Sequence, residues 1–226
     1  HSESGLWTFG GKTPSNFDTH VSKSVPLYKE GHDLVTAMSE FFVPQNGKVL
    51  HIGSSTGVLT NKLAKTLKER NAQVLGMEIE GEMIKEAKSR ENEKNLSYIN
   101  EDITTFDIGQ NCYNLIVSYY TIQFIHPSLR QSVIKKIYDS LMWGGGFILF
   151  EKVRGSDARF QDIFNCFYQE YKVKRGYSSD EILSKQKSLK SILEPFSRQG
   201  NLDMLRRSNF QDIESIMKYA CFEGFL

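Results

Sequence analysis

Short apolar runs alternate with polar, helix-like segments along the middle of the chain. The runs are rich in Val, Ile and Leu and cover residues 48–53, 73–79, 96–101, 114–120 and 146–153. Runs this short are typical of buried strands, and their alternation with helical segments is typical of a parallel sheet covered by helices. The pattern therefore predicts an α/β fold built on a mostly parallel sheet.

Apolar residues between these runs recur three and four positions apart, which is the spacing of one helix face. They are Val58, Leu59, Leu63 and Leu67 in a first helix, Met83, Ile84 and Ala87 in a second, and Val133, Ile134, Ile137, Tyr138 and Leu141 in a later one. We expect the glycines at 144–146 to stop that later helix, because glycine readily adopts the left-handed conformation found at helix ends.

The pattern changes after the fifth run. Segments 157–174, 179–195 and 202–208 are predicted to be helical, and 213–219 and 221–226 are predicted to form two closing antiparallel strands. We interpret residues 1–226 as a single domain with a mostly parallel seven-stranded sheet and helices on both faces. Residues 1–46 form an N-terminal helical cap in this interpretation, and residues 154–200 form a helical insertion, or lid, after strand five.

Composition narrows the class of function. Hydrophobic residues make up 39% of the 226 residues, which is ordinary for a globular protein. The 28 basic and 27 acidic residues leave a net charge of +1, which disfavours direct nucleic-acid binding and attraction to an anionic membrane. Cys112, Cys166 and Cys221 lack metal-ligand spacing, so we expect no metal site and a reducing, cytoplasmic setting.

Three features at predicted strand ends point to a nucleoside ligand. The first strand runs into the turn Gly53-Ser54-Ser55-Thr56-Gly57, where glycine lets a ligand approach the backbone closely. Glu78 ends the second strand, where a carboxylate accepts hydrogen bonds from both ribose hydroxyls. Asp102 and Ile103 follow the third strand, where an acid accepts the adenine amino group and an aliphatic side chain packs on the ring. The turn lacks the G-x-G-x-x-G spacing of dinucleotide sites, which favours S-adenosyl-L-methionine (SAM) over NAD as the cofactor.

Two of these features have other interpretations. Asp102 is equally suited to cap a turn at residues 104–105. The glycine turn also matches the G-x-S-x-G nucleophile elbow of α/β-hydrolases, with Ser55 as the nucleophile. We disfavour the hydrolase because only one strand precedes the turn, and because His126 lies far from the C-terminal position expected for the triad base.

Several longer sequence motifs in the chain are not general features of α/β folds. They are Trp7-Thr8-Phe9, Phe17-Asp18, Lys23-Ser24-Val25-Pro26-Leu27-Tyr28, Thr121-Ile122-Gln123-Phe124, Arg130-Gln131 to Ile137-Tyr138, Gly145-Gly146, Glu151-Lys152 and Lys174-Arg175-Gly176-Tyr177-Ser178. Through them the chain resembles class I methyltransferases and, over nearly its whole length, is similar to the carboxy-S-adenosyl-L-methionine (carboxy-SAM) synthase family. The resemblance implies a Rossmann-like class I methyltransferase fold, a homodimer, and conversion of SAM to carboxy-SAM with prephenate as carboxyl source, for modification of the transfer-RNA wobble uridine.

The resemblance also implies a set of cofactor-binding residues. They are Tyr28 at the methionine end of SAM, Gly53, Ser54 and Ser55 at the turn, Glu78 at the ribose, and Asp102 and Ile103 at adenine. Gly57, Ile79 and Tyr119 complete the candidate cofactor-binding residues. The chain departs from the family pattern at four positions. His51 replaces the aspartate before the turn, Ile79 follows the ribose acid, Tyr119 replaces an asparagine, and Gln186 replaces the arginine that holds the transferred carboxylate.

The change at Gln186 decides the predicted function. Neutral glutamine cannot form the bidentate, charge-assisted pair that arginine forms with a carboxylate. We therefore predict a SAM-dependent methyltransferase acting on a small-molecule acceptor. The candidate catalytic residues are His20, His32 and Tyr119, and the candidate substrate residues also include Tyr120 and Tyr177.

Two alternatives remain open. One is a carboxy-SAM synthase that supplies the carboxylate clamp from another residue, such as Arg175, or from a partner subunit. The other, from a different class, is a non-catalytic SAM-binding regulatory subunit. The synthase and the regulatory subunit bind SAM in the same pocket. They differ because only the synthase also takes a second substrate.

Overall fold

The computed structural model describes residues 13–90 and 93–226, which form a seven-stranded sheet with eight α-helices. The strands are β1 (Lys48–Ile52), β2 (Gln73–Glu78), β3 (Leu96–Asn100), β4 (Tyr113–Tyr119), β5 (Leu141–Lys152), β6 (Ser215–Tyr219) and β7 (Phe222–Phe225). The helices are α1 (Thr13–Ser24), α2 (Tyr28–Phe42), α3 (Val58–Thr66), α4 (Gly81–Ser89), α5 (Pro127–Ser140), α6 (Ala158–Lys174), α7 (Ser179–Ser188) and α8 (Arg198–Arg207).

The strand order is β3-β2-β1-β4-β5-β7-β6, with β7 antiparallel to both of its neighbours and the remaining pairs parallel. The predicted Rossmann-like sheet, its seven strands and the closing antiparallel pair are thus confirmed. The motif Trp7-Thr8-Phe9, which contributes to the family resemblance, lies outside the described residues. No helix in the described part of the chain is long and apolar enough to cross a membrane.

The central strands are apolar on both faces because helices cover both. Alternate residues such as Val49 and Val117 pack with α2 and α3 on one face. Their neighbours, such as Leu50 and Ile116, pack with α5 and α8 on the other. Since successive side chains of a strand point to opposite faces, a strand buried on both sides reads as a continuous apolar run. This arrangement directs the carboxyl ends of β1, β2 and β4 to one edge of the sheet.

One predicted helix boundary is wrong. The later helix, α5, ends at Ser140, and Leu141 already begins β5, so the glycines at 144–146 lie within the strand rather than at a helix end. Strand pairing explains the difference, because Tyr113 pairs with Leu141 and Leu115 with Gly146, which leaves residues 142–145 as a bulge. Gly144 has a φ of 73° in this bulge, a conformation that glycine adopts without strain.

A second boundary is also wrong, in the segment 154–200 that the sequence analysis interprets as an insertion. The predicted helix 179–195 ends at Ser188, and Ser191 adopts a left-handed φ of 65° beyond it. Pro195 has no N–H to continue a helix, and the chain instead runs extended into a bridge between Arg154 and Ser197. The insertion thus returns to the sheet through an extended segment.

Side-chain caps fix the helices of this insertion. Asp157 accepts a hydrogen bond from Phe160 N at 2.9 Å at the start of α6. Ser178 and Glu181 form a reciprocal capping box at the start of α7. Each cap satisfies backbone donors that a helix start leaves unpaired. These caps place α6 and α7 over the carboxyl edge of the sheet.

Candidate functional site

A cavity of about 1360 Å³ opens at the carboxyl edge of the sheet. It is bounded by α1 and α2, by the loops after β1, β2, β3 and β4, and by α6 and α7. The predicted site residues that line it are His20, Tyr28, His32, Gly53, Ser54, Ser55, Glu78, Ile79, Asp102, Ile103, Tyr119, Tyr120, Tyr177 and Gln186. Gly57 and Arg175 lie outside its lining. A single cavity therefore brings together nearly all of the predicted site.

The glycine turn after β1 is fixed by the neighbouring strand. Gly53 N and Ser54 N both donate to Met77 O, at 2.8 and 2.9 Å. Gly53 has a φ of 71°, and a Cβ added there would overlap the side chain of Thr121 at the end of β4. The contact with Thr121 therefore requires glycine at position 53, in addition to the close ligand approach that the sequence predicts there.

We expect Gly53→Ala to destabilise the protein more than Gly144→Ala. Both glycines have a φ near 70°, but a Cβ at Gly144 would meet no atom within 4 Å. Gly144→Ala thus measures backbone strain, about 1 kcal/mol, and Gly53→Ala adds a packing clash of about 1–3 kcal/mol. Urea denaturation of both variants checks the difference, and equal losses would show that the Thr121 contact is unimportant.

Glu78 is held with its carboxylate facing the cavity. Its Oε2 accepts a hydrogen bond from Ser55 N at 2.8 Å, and its Oε1 accepts one from Glu80 N at 3.1 Å. Burial raises the pKa of this carboxyl group, and the backbone donors oppose the rise. Each carboxylate oxygen keeps acceptor capacity after these bonds. The geometry fits the two hydroxyls of a ribose.

Asp102 and Ile103 follow β3 as the sequence predicts. Asp102 Oδ1 accepts a hydrogen bond from Thr104 N at 2.8 Å, so the capping interpretation of this residue is realised. Its side chain also lines the cavity, and Ile103 is buried beside it. The two roles are compatible, because a carboxylate has two oxygens and only one accepts from the turn. An adenine ring between an acid and an aliphatic surface fits this corner.

Packed rings form the opposite wall. Tyr28 lies 4.5 Å from His32 and 5.3 Å from Tyr119 between ring centres, and the Tyr119 hydroxyl donates to Tyr28 O at 2.8 Å. Burial raises the pKa of both tyrosines. Neither phenol is therefore suited to act as a phenolate base.

Two buried histidines, His32 and His51, also line the cavity at this wall. Burial lowers the pKa of His32 to about 4 and that of His51 to about 3, so both are neutral at pH 7. His51 Nδ1 lies 2.8 Å from Thr60 Oγ1, whereas the Nε2 atoms of both histidines have no hydrogen-bond partner among the described residues. A buried polar atom without a partner costs free energy. The ammonium and carboxylate of a methionine moiety supply suitable partners, so the wall fits the methionine end of SAM.

These histidines predict a loss of stability in acid. The unfolded chain takes up protons below the ordinary histidine pKa of about 6.5, whereas folded His32 and His51 stay neutral until about pH 4 and pH 3. Stability is therefore present above pH 6.5 and is lost as pH falls towards 4, by about 1–2 kcal/mol per histidine between pH 7.5 and 5. Urea denaturation at both values should show a smaller loss for His51→Asn. The exposed His126→Asn change should leave the loss as in the wild type.

Asp18 is a site residue that the sequence interpretation missed. Its carboxylate accepts a hydrogen bond from Thr56 Oγ1 at 2.6 Å and pairs with Arg90 at 2.5 Å. The contact joins α1 to the glycine turn and to the end of α4. The motif Phe17-Asp18, which contributes to the family resemblance, was the sequence feature that could have indicated Asp18. Its partners Thr56 and Arg90 are 38 and 72 residues away along the chain.

The insertion meets α1 at the mouth of the cavity. The Tyr177 hydroxyl donates to His20 O at 3.1 Å, and His20 Nδ1 lies 3.3 Å from the same hydroxyl. Gln186 is exposed on α7 and lines the cavity. Arg175 instead lies over the Tyr171 ring at 5.0 Å and lines a separate small hollow. Arg175 is therefore badly placed to replace the lost family arginine.

Two other kinds of site, a hydrolase nucleophile elbow and a metal site, can be compared with the arrangement of the described residues. A nucleophile elbow requires a histidine bonded to its serine. Ser55 Oγ instead lies 3.8 Å from Met83 Sδ, and no histidine in the described ranges bonds to it. No group of three His, Cys, Asp or Glu residues in those ranges is arranged to hold a metal ion. The strand order, the glycine turn and the acids after β2 and β3 together define an enzyme of the class I methyltransferase type that uses SAM.

Comparison with known proteins agrees with this class. The family described as "Methyltransferase domain" matches residues 49–145. The carboxy-SAM synthase of Staphylococcus epidermidis is 37% identical over 221 residues, covering 97% of this chain and 96% of that protein. The synthase of Nautilia profundicola is 34% identical over 220 residues, covering 96% of this chain and 92% of that protein. The chain belongs to the carboxy-SAM synthase family.

Solved structures show the fold alone. A structure of phosphoethanolamine N-methyltransferase 2 from Haemonchus contortus in complex with SAM has a TM-score of 0.64 at 15% identity, covering 90% of this chain and 42% of that chain. A putative SAM-dependent methyltransferase from Methanococcus maripaludis has a TM-score of 0.62 at 17% identity, covering 97% of this chain and 94% of that chain. The Rossmann-like class I methyltransferase fold is therefore shared at low sequence identity.

Proposed function

We propose that the protein is a carboxy-SAM synthase that takes its carboxyl group from prephenate. The observation that carries the proposal is the positive charge at one end of the cavity. Lys152, at the end of β5, and Lys172, in α6, line the cavity there. These side chains provide positive charge that Gln186 lacks. The carboxy-SAM synthases that match over the full chain support the same reaction.

Each end of SAM has its own set of residues in this proposal. Glu78 binds the ribose hydroxyls, and Asp102 and Ile103 hold the adenine. Tyr28 and His32 contact the methionine end. Bound SAM supplies a methyl group on a positively charged sulfur. Orienting this group towards the second substrate and excluding water are the main tasks of the protein.

The proposed reaction does not require a protein base. It joins the ring carboxyl group of prephenate to the S-methyl carbon and releases phenylpyruvate and water, so the methyl proton leaves with the ring hydroxyl. The environments of the predicted bases support this view. His32 is buried and neutral, and Tyr119 donates its proton to Tyr28 O. We propose that these residues and His20 position helices and ligand rather than transfer protons.

A methyltransferase acting on a small-molecule acceptor is the second candidate. It is favoured by Gln186, which lines the cavity in place of an arginine, and by the position of Arg175 outside the lining. Tyr120 and Tyr177 would line the acceptor pocket. A SAM-binding regulatory subunit is a third candidate and needs no second substrate.

Label transfer distinguishes the three candidates. The purified protein is incubated with SAM and prephenate carrying carbon-13 in its ring carboxyl group, and the nucleosides are analysed by mass spectrometry. We expect labelled carboxy-SAM together with phenylpyruvate. S-adenosylhomocysteine formed with an acceptor mixture, without labelled carboxy-SAM, would establish the methyltransferase instead. Tight SAM binding with neither product would indicate the regulatory subunit.

We also propose a homodimer that uses the outer face of α6. Phe160, Ile163 and Phe167 recur at helical spacing and are 48%, 50% and 38% exposed. Apolar side chains clustered on one helix face are typical of interfaces between subunits. Light scattering should give twice the 25.9 kDa mass of the chain, and Ile163→Glu should give the single mass. A monomeric wild-type protein would contradict the dimer.

A cytoplasmic location remains a proposal supported by the three cysteines, all of which are free thiols. Fractionation of the source cells tests it directly. Recovery of the protein outside the cytoplasmic fraction would contradict it.

A further inference from the structure

The cavity is larger than a nucleoside requires. Pockets for single small ligands usually measure about 300–1000 Å³, whereas this one measures about 1360 Å³. Its nucleoside end is formed by the loops after β1, β2 and β3. Its other end is formed by the end of β5, by α6 and by α7. The cavity therefore has room for a second small molecule beside SAM.

Two ammonium groups lie close to one aromatic ring at this second end. Lys152 Nζ lies 4.4 Å and Lys172 Nζ 4.5 Å from the centre of the Tyr168 ring. The lysines come from β5 and from the last turn of α6, so only the folded chain brings them together. The Tyr168 hydroxyl donates to Ser24 O at 2.9 Å, and Phe222 packs against its ring at 5.2 Å. Tyr168 thus holds the two lysine heads at the cavity wall.

The charge at this end is uncompensated by acids. Among the described residues, neither Lys152 nor Lys172 forms an ion pair with a carboxylate. Burial lowers the pKa of Lys152. Burial and the positive charges of Lys152 and Lys185 lower the pKa of Lys172 to about 8. The neighbouring Glu151 instead accepts a hydrogen bond from Gln123 N at 3.3 Å.

Cations held together in a partly dehydrated wall repel one another, and an anion between them removes the repulsion. Ammonium groups bind carboxylates through charge-assisted hydrogen bonds, without the fixed fork that arginine requires. We propose that Lys152 and Lys172 bind a carboxylate group of the carboxyl-donating co-substrate. The inference rests on the proposed function, and it assigns to two lysines the role that an arginine at position 186 would otherwise have.

The test measures binding without turnover. Prephenate is titrated by calorimetry into protein saturated with S-adenosylhomocysteine, which lacks the reacting methyl group, for the wild type and for Lys152→Met, Lys172→Met and the double variant. Methionine keeps the apolar stem of lysine and removes the charge. We expect each single change to weaken prephenate binding roughly 10- to 100-fold and to leave the Kd for SAM within about two-fold. Lys172→Arg should restore most of the affinity.

Lys174→Met is the matched control, because Lys174 is exposed on the same helix and lies outside the cavity. It should leave prephenate binding unchanged. Equal prephenate affinity for the wild type and the double variant would overturn the inference, as would the failure of wild-type protein to bind prephenate, chorismate or phenylpyruvate at millimolar concentration. Lysine-dependent binding without carboxy-SAM formation would support the lysine site while contradicting the proposed function.

Discussion

Glu78→Gln is expected to weaken SAM binding roughly 30- to 100-fold, a loss of about 2–3 kcal/mol. The carboxylate is fixed by Ser55 N and Glu80 N, so both of its oxygens are oriented before SAM arrives. Glutamine presents one acceptor and one donor in the same place. Its amide N–H₂ group must face either a backbone N–H or a ribose hydroxyl, and it also loses the charge that strengthens both ribose bonds. Isothermal titration with SAM measures the effect.

Glu80→Gln is the matched control for this prediction. It makes the same chemical change two residues away, and Glu80 lies outside the cavity lining. Its Kd for SAM should stay within about two-fold of the wild type. The melting temperature of Glu78→Gln should fall modestly, because the amide accepts only one of the two backbone hydrogen bonds, although a neutral amide is easier to bury than a carboxylate. A Glu78→Gln protein that binds SAM as tightly as the control would show that the ribose is held elsewhere.

The sheet is well predicted by sequence because its signal is local. Each strand buried on both faces appears as its own apolar run, and the helix between two such runs carries its own periodicity. The two wrong boundaries arise where pairing with distant residues decides. Leu141 continues the periodicity of α5, yet it pairs with Tyr113 and becomes the first residue of β5. The segment 189–195 is predicted to be helical, yet α7 ends at Ser188, residues 189–192 form turns, and Ser197 then bridges Arg154.

The same distinction applies to the site. The glycine turn, Glu78 and Asp102 were predictable because each stands at a fixed position relative to a strand end. The anchoring of Asp18 by Thr56 and Arg90 was not predictable, because it joins three elements. The resemblance implies an arginine where the chain has Gln186, but it gives no means of finding charges supplied from another part of the fold.

Lys152 and Lys172 are an example of charges that the sequence does not reveal as neighbours. They are 20 positions apart by their numbers and belong to a strand and a helix, so no spacing rule connects them. They come together through the Tyr168 ring, which both ammonium groups approach in the folded chain. The loss of one cation at a binding site therefore does not by itself predict the loss of an anionic substrate, since a fold with a cavity this large can supply charge from another wall.

Arg130→Ala is expected to lower the free energy of unfolding by about 3–5 kcal/mol. Arg130 is only 2% exposed, and its guanidinium donates to three carbonyls, those of Gln123, Ile125 and Glu194, at 2.6–2.8 Å. It also lies over the Phe196 ring at 4.5 Å. Alanine leaves three buried acceptors without this donor and creates a cavity. Urea denaturation followed by circular dichroism measures the loss.

The functional consequence of changing Arg130 should be selective, because its side chain joins Glu194 O and the Phe196 ring to Gln123 O in the turn after β4. Arg130→Lys keeps the charge but cannot reach three carbonyls, so it should lose less stability and remain folded for binding measurements. Its affinity for prephenate should fall more than its affinity for SAM, since α6 and α7 line the proposed prephenate end of the cavity whereas Glu78 lies on the sheet. Arg206→Ala, at a side chain 57% exposed, should change neither stability nor binding. Equal losses for the two ligands would indicate that Arg130 supports the whole sheet edge rather than the insertion.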